Sequence, residues 1–404
     1  MSAVPSSLQR DLTGEFSKSG PGTLGGRYLR LFWQPVFNSN ELPAGRAKPI
    51  KIMNEDFTLY RGKSGKPFVV DYRCPHRQTQ LSTGWVEEDE IRCLYHGWKF
   101  DGSGRCTERP QEPGKSVGSI AIKSYPVREH VGMIWAYFGP GQPPAFPPFP
   151  AFNEDEGFVE TRATVYPCNF YQTHENNYDP CHILWSHSHG VTHEEFNGLD
   201  MAVQPAPEET SYATVNRWNF NNGFRMGMIG YLPNAIRTIV PSPNGLLKKG
   251  LCPQYRDTYL VHVPVDDDTH IFFRAHHIRL TGDRAQKYRE EAQRMREDWA
   301  AKWKPEVYYT KEILEGRMTI SDVLGHPYLA TIQDQVAQSG QAPHTDRSLE
   351  HLGVSDRHMV FLRRVWAREL ALLAAGQPTK QWQSRADCPA FEEFRKPLIE
   401  NGTL

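Results

Sequence analysis

Cys74-Pro-His76 and Cys93-Leu-Tyr-His96 place two thiols and two imidazoles in two short clusters, with sixteen residues between them. Ligand pairs of this kind sit on loops, so the chain around them must hold two loop tips side by side, and β-hairpins do that. The flanking sequence agrees. Phe57-Thr-Leu-Tyr-Arg and Lys66-Pro-Phe-Val-Val-Asp-Tyr lie on either side of Gly62-Lys-Ser-Gly65, two strand patterns joined by a Gly-containing turn. Ser119 to Tyr125 and Gly132 to Phe138 continue the pattern, which predicts a small all-β domain over residues 27–139.

A chain of 404 residues exceeds what one hydrophobic core usually serves, so two domains are expected. The boundary falls at Gly139 to Pro150, where six prolines in twelve residues remove backbone donors and favour extended chain. Beyond it, Thr258 to Pro264 and His270 to His276 read as strands around the turn Asp266–Asp268. Arg284 to Lys302 carries no breaker, and Met359, Leu362, Trp366, Leu370 and Leu373 form an apolar stripe after a Ser355 cap. The second domain, residues 140–404, is therefore α+β, and residues 1–26 are expected to pack with it. Gly20-Pro-Gly-Thr-Leu-Gly25 matches the dinucleotide fingerprint only formally: no strand precedes it, so it reads as a flexible turn.

The 46 basic and 47 acidic residues cancel to −1, with no run of either sign. A nucleic-acid groove and a polybasic membrane patch are excluded on that ground. The first thirteen residues lack a signal-type apolar core and no stretch reaches the length of a membrane span, so a cytoplasmic protein is expected. Seven unevenly spaced cysteines do not make a disulfide framework, which leaves the clustered pair for metal. Two metals suit it. A structural zinc ion would take Cys2His2, whereas a two-iron Rieske centre would take both thiolates on one iron and both imidazoles on the other.

A second constellation lies in Asn169 to His187, which sets Asp179 near His182 and His187. Two His ligands completed by a distant carboxylate leave coordination positions open for O2. Five residues separate the two imidazoles by roughly 140° on a regular helix, so a distorted helix with a π-bulge is expected between them. Spacing alone does not prefer His187 to His189. Asp179, before Pro180, is also a good helix N-cap. His174, His189 and His193 read as polar surface or as groups supporting the ligands.

Cys74-Pro-His76-Arg and Cys93-Leu-Tyr-His96-Gly-Trp-Lys-Phe-Asp resemble the Rieske signature of the ring-hydroxylating, or Rieske non-haem iron, oxygenases. Asp179, His182 and His187 match that family's Asp-x-x-His-x-x-x-x-His, and Ile332-Gln-Asp-Gln335, Asp346 to Gly353 and Ser355-Asp356 resemble its phthalate-dioxygenase-like group. The resemblance covers about residues 22 to 375. It implies an N-terminal all-β Rieske [2Fe-2S] domain and a C-terminal helix-grip-like domain with an antiparallel sheet and helices. Cys74, His76, Cys93 and His96 would hold the cluster, and His182, His187 and Asp334 a mononuclear Fe(II), with Asp322 in reserve for Asp334. Asp179 would link His96 of one subunit to His182 of the next, in a homotrimer or dimer of trimers. Asn176 would point at the iron and Glu175 steady the site.

The implied activity uses O2 and two external electrons to dihydroxylate, monohydroxylate or oxidatively demethylate a small aromatic substrate, with an aromatic acid preferred. A separate NAD(P)H-dependent reductase, with or without a ferredoxin, would supply the electrons, since the chain has no credible NAD, flavin or plant-type ferredoxin motif. Phe220, Phe224, Met226, Met228, Tyr231 and Ile236 are candidate pocket walls, with Arg225 or Arg237 to hold a carboxylate. A Rieske electron carrier without oxygenase chemistry is the alternative.

Overall fold

The computed structural model describes residues 12–112, 119–147, 156–187, 204–221, 225–342, 345–383 and 388–404. The chain divides into two compact units, Ser19–Phe146 with Val263–Asp266, and Met1–Lys18 with Pro147–His262 and Asp267–Leu404.

The first unit is built from three small sheets. Arg46–Ile52, Glu55–Arg61 and Pro67–Asp71 pair antiparallel in sequence, and Ser124–Tyr125 closes that sheet on the Pro67–Asp71 side. Trp85–Glu87, Glu90–Arg92, Lys99–Phe100 and Cys106–Glu108 form a second antiparallel ladder. Gln34–Asn38, Met133–Ala136 and Val127–His130 make the third. The two hairpin sheets share a core of Tyr60, Val70, Leu81, Ile91, Trp98, Phe100 and Ile122 that also takes in Cys74 and Cys93.

The expected packing of residues 1–26 with the second domain needs correcting. Thr23 caps a helix over Leu24–Arg30 by accepting the Gly26 N–H, so the glycine-rich stretch is a turn that opens a helix. Arg30, almost fully buried, donates to the carbonyls of Ser19, Gly26 and Met53 and pairs with Glu55, which ties residues 19–30 to the first unit. Only the segment before Ser19 goes with the second unit, where the Phe16 ring lies 5.0 Å from that of Tyr171.

The second unit is a seven-stranded sheet in the order Phe158–Tyr166, His270–Ile278, Tyr255–Pro264, Ala235–Pro241, Arg225–Leu232, Thr214–Asn219, Glu208–Glu209, flanked by helices. Alternate side chains go to opposite faces. One face meets the helix Phe170–Asn176 and the turn after it: Tyr178 Oη bonds Thr214, and His262 meets His174 and Asn177. Glycine is required at 230, because a Cβ there would lie 2.3 Å from the Tyr178 hydroxyl. The opposite face meets the C-terminal helix Pro389–Glu400, whose Phe391 lies 4.1 Å from the Arg237 guanidinium. The apolar stripe forms the helix Arg357–Ala374, which starts after Asp356 instead of Ser355 and buries Leu362, Trp366 and Leu370 completely. Among the described residues no helix is long and apolar enough to cross a membrane.

Candidate metal centres

The two Cys/His loops are built alike. The Cys74 carbonyl accepts the Gln78 N–H at 2.9 Å, and the Cys74 N–H donates to Thr79 O at 2.8 Å; the Cys93 carbonyl accepts the Gly97 N–H at 3.1 Å, and the Cys93 N–H donates to Trp98 O at 2.8 Å. The residue closing each turn is left-handed, Gln78 at φ 62° and Gly97 at φ 74°. Both thiols point into the core, 1% and 2% exposed, while His76 is exposed and His96 half-buried. The imidazole centroids stand 4.5 Å apart, and His76 stacks on Trp98 at 4.6 Å with 4° between the planes. Burial pushes the Cys74 thiol up to about 12, and the neighbouring Cys93 sulfur adds to the rise. A buried thiol that resists ionisation on its own, set beside a second buried sulfur, fits a metal group, which deprotonates the thiols that coordinate it. With thiols inside and imidazoles outside, the four residues fit a two-iron cluster whose irons take different ligands.

The second centre starts from Asn169. Its Oδ1 accepts the Tyr171 N–H at 2.9 Å while Gln172 Oε1 accepts the Asn169 N–H at 3.2 Å, a reciprocal cap that starts the buried helix Phe170–Asn176. A turn follows. Asp179 Oδ1 then accepts the Cys181 N–H at 2.8 Å and starts the helix Cys181–Ser186. The expected π-bulge is absent: this helix is regular but ends at Ser186, and His187 sits just beyond its end at φ −99°, ψ −4°. Ending the helix, instead of distorting it, brings the two imidazoles to a centroid distance of 5.3 Å.

Asp334 arrives from the helix Leu329–Ser339. Its Oδ1 lies 3.8 Å from His182 Nε2 and 3.5 Å from His187 Nε2, and one ligand atom from each of the three residues falls within 4.8 Å of the others. The far nitrogens are engaged elsewhere. His182 Nδ1–H donates to the main-chain carbonyl of Asp179, and His187 Nδ1–H donates to Gln333 Oε1 at 3.0 Å. The Asp179 carboxylate, expected to take the His182 N–H, stands 4.0 Å from that nitrogen. Asn176 Nδ2 lies 3.3 Å from both Asp334 Oδ1 and His182 Nε2. Burial alone would raise Asp334, but His187, then His182 and Arg274, hold it below the usual carboxylate range. Burial likewise lowers His187, and Asp334 with Gln333 lifts it above the ordinary imidazole value. A convergent, half-buried set of two imidazoles and one carboxylate is a donor set that fits a divalent iron.

Asp322 is elsewhere: exposed, it accepts the Thr319 N–H and hydroxyl as a local cap. Glu175 is buried and paired with Arg347 and Arg363, which fastens its helix to the C-terminal segment. His174 is not at the surface: burial holds it neutral, down to about 3, against His262. His189, His193 and Phe224 lie outside the described residues. Phe220, Met228 and Ile236 are buried, and Met226 is half-buried. Tyr231 packs edge-on against Tyr259, beside Arg237 on the sheet face away from the ligand helices. Arg237 is not free for a substrate carboxylate, because Asp257 takes its Nε at 3.0 Å and Nη2 at 2.6 Å; Arg225 is exposed. Gln333 is the supporting residue that the sequence did not reveal, although it adjoins Asp334.

A family model described as the Rieske [2Fe-2S] domain matches residues 32–126. The chain is 31% identical over 384 residues, 92% of its length and 83% of the relative's, to the 5,5'-dehydrodivanillate O-demethylase oxygenase subunit of Sphingobium sp.. It is 28% identical over 381 residues, 90% of its length and 85% of the relative's, to the phenoxybenzoate dioxygenase subunit alpha of Ectopseudomonas oleovorans. Its fold matches the terminal oxygenase of carbazole 1,9a-dioxygenase from Novosphingobium sp. KA1 with a TM-score of 0.61 at 18% identity, over 94% of this chain and 100% of that one. Similarity that continues through the second unit sets aside both the zinc module and the electron carrier. This chain belongs to the Rieske non-haem iron oxygenases and is the oxygenase component of such a system.

Proposed function

We propose that the chain oxidises a small aromatic acid with O2, holding a [2Fe-2S] cluster through Cys74, Cys93, His76 and His96 and a mononuclear Fe(II) through His182, His187 and Asp334. The observation that carries this reading is the convergence of two Nε2 atoms on one Asp334 oxygen while both Nδ1 hydrogens are engaged elsewhere. When bound, the mononuclear iron supplies open positions for O2 beside the substrate, and the cluster supplies the electron.

The chain's own groups do the positioning. The Asp179 carbonyl and Gln333 Oε1 fix the tautomer and the plane of each imidazole, and Asn176 holds the Asp334 oxygen that faces both. One oxygen of Asp179 is used on Cys181, which leaves the other, on a side chain 32% exposed, to accept an N–H from His96 of a neighbouring subunit. On this reading the protein assembles as a homotrimer or dimer of trimers, and electrons from a separate NAD(P)H-dependent reductase, directly or through a ferredoxin, cross at Asp179. The preference for an aromatic acid draws on the two relatives, whose names specify aromatic carboxylates.

The test is O2 and NADH consumption with a surrogate reductase over phthalate, benzoate and methoxybenzoates. Uptake stimulated by one of these acids is expected. Stoichiometric formaldehyde would mark O-demethylation, a ring diol dihydroxylation, and a phenol monohydroxylation. No stimulation by any of the acids would contradict the reading.

A further inference from the structure

Residues 270, 272, 274 and 276 of the strand His270–Ile278 alternate onto one sheet face. That face is turned toward the ligand-bearing helices. His270 Nδ1 bonds the Cys168 carbonyl just before the helix Phe170–Asn176, and Phe272 packs under His262, which itself meets His174 and Asn177. Arg274 belongs to this face, directly opposite Arg162 of the neighbouring strand.

Three arginines of this sheet are set differently. Arg237, on the other face, is neutralised by Asp257. Arg162 stands opposite Arg274 across the edge strand pair, is neutralised by Glu306 and stacks 3.6 Å over Tyr328. Among the described residues Arg274 forms no ion pair: Nη1 donates to the Thr164 hydroxyl at 3.1 Å, Nη2 donates to the Tyr166 hydroxyl at 2.9 Å, and the guanidinium lies 3.9 Å over the Phe272 ring. The electrostatics differ accordingly. Burial lowers both Arg237 and Arg274, but Asp257 brings Arg237 back above its ordinary value, whereas Tyr166, Glu306 and Asp334, which make no hydrogen-bonded ion pair with Arg274, leave it below. A half-buried guanidinium without a carboxylate is costly unless something else completes it. Two of its five N–H donors are used by the described residues, one on each terminal nitrogen, which leaves three for an acceptor. With ferrous iron bound, Asp334 cancels one of the metal's two charges and Glu306 cancels Arg162, so this side of the site keeps an excess of positive charge.

We infer that Arg274 is the specificity-determining residue that anchors the substrate carboxylate, with Thr164, Tyr166 and Phe272 holding the guanidinium in place. The inference rests on the oxygenase reading above and replaces Arg225 and Arg237 in the recognition of the acid. The experiment measures, by calorimetry, the affinity of anaerobic holoenzyme for 4-hydroxy-3-methoxybenzoate and for its methyl ester, in the wild type, Arg274→Gln and Arg274→Lys. The wild type is expected to prefer the acid by roughly 30-fold or more, Arg274→Gln to lose that preference with ester binding unchanged, and Arg274→Lys to keep part of it. Equal affinity for acid and ester in the wild type, no binding of the acid, or an undiminished preference in Arg274→Gln with wild-type iron content would overturn the assignment. Iron analysis of the same samples separates the two questions. A wild type lacking the mononuclear iron yet showing the Arg274-dependent preference would refute the oxygenase reading and uphold the anchor.

Discussion

The two candidate metal centres are assembled by opposite means. In the first unit each Cys/His loop closes on itself, with the backbone of Cys74 and Cys93 bonded to residues four and five positions later, so each ligand pair is shaped by six consecutive residues. In the second unit His182 and His187 come from a short helix and the turn at its end, while Asp334 comes from a helix that begins more than a hundred residues later. Local closure makes a centre that tolerates changes in its surroundings; assembly by packing makes one that depends on supports such as Gln333, Asn176 and the buried Glu175.

The largest expected effect separates the centres outright. Asp334→Ala should abolish substrate-dependent O2 uptake and lower bound iron from about three to about two per chain, with the Rieske EPR signal intact. Cys93→Ser should instead remove the cluster's iron and sulfide. If Asp334→Ala also erased the Rieske signal, the two centres would not be independent. Next in size is Asp179→Asn, where both metals should stay bound while single-turnover oxidation by pre-reduced enzyme slows by about 100-fold. Unchanged turnover with both metals bound would remove Asp179 from the electron path.

Gln333→Leu strips the acceptor from His187 Nδ1 without touching a ligand, and iron affinity at the second centre should fall by about 10- to 100-fold in a chelator competition. Gln333→Glu, which keeps an acceptor, should retain most of it. The smallest effect compares the two loops at their equivalent turn positions. Gly97→Ala puts a Cβ 3.0 Å from the Pro110 ring at a left-handed φ and should cost about 1–2 kcal/mol in urea unfolding of the holoprotein. Gln78→Gly should be within about 0.5 kcal/mol of neutral, since relief of its left-handed strain is offset by added freedom in the unfolded chain. Equal losses at the two positions would end the equivalence of the loops.

The same contrast governs how much was legible in the sequence. The Cys/His loops and their hairpins could be read directly, because the residues that shape each loop are neighbours in the chain. His182 and His187 can be read as candidates, but not their geometry: five residues rotate them apart on a regular helix, and the chain resolves this by ending the helix at Ser186 instead of bulging it. Asp334 came from family resemblance alone, since one acidic residue among 47 carries no local mark. Arg237 reads as a substrate anchor until the sheet pairs it with Asp257, and nothing in the sequence singles out Arg274, whose hydrogen-bond acceptors are the Thr164 and Tyr166 hydroxyls. Charge compensation between distant strands has no signature in a linear sequence.

Iron and acid-labile sulfide analysis of anaerobically purified protein tests most directly whether one chain holds two metal centres. The expected result is about three iron and about two sulfide per chain, with His187→Ala losing one iron and no sulfide. About two iron and two sulfide in the wild type, unchanged by His187→Ala, would contradict it.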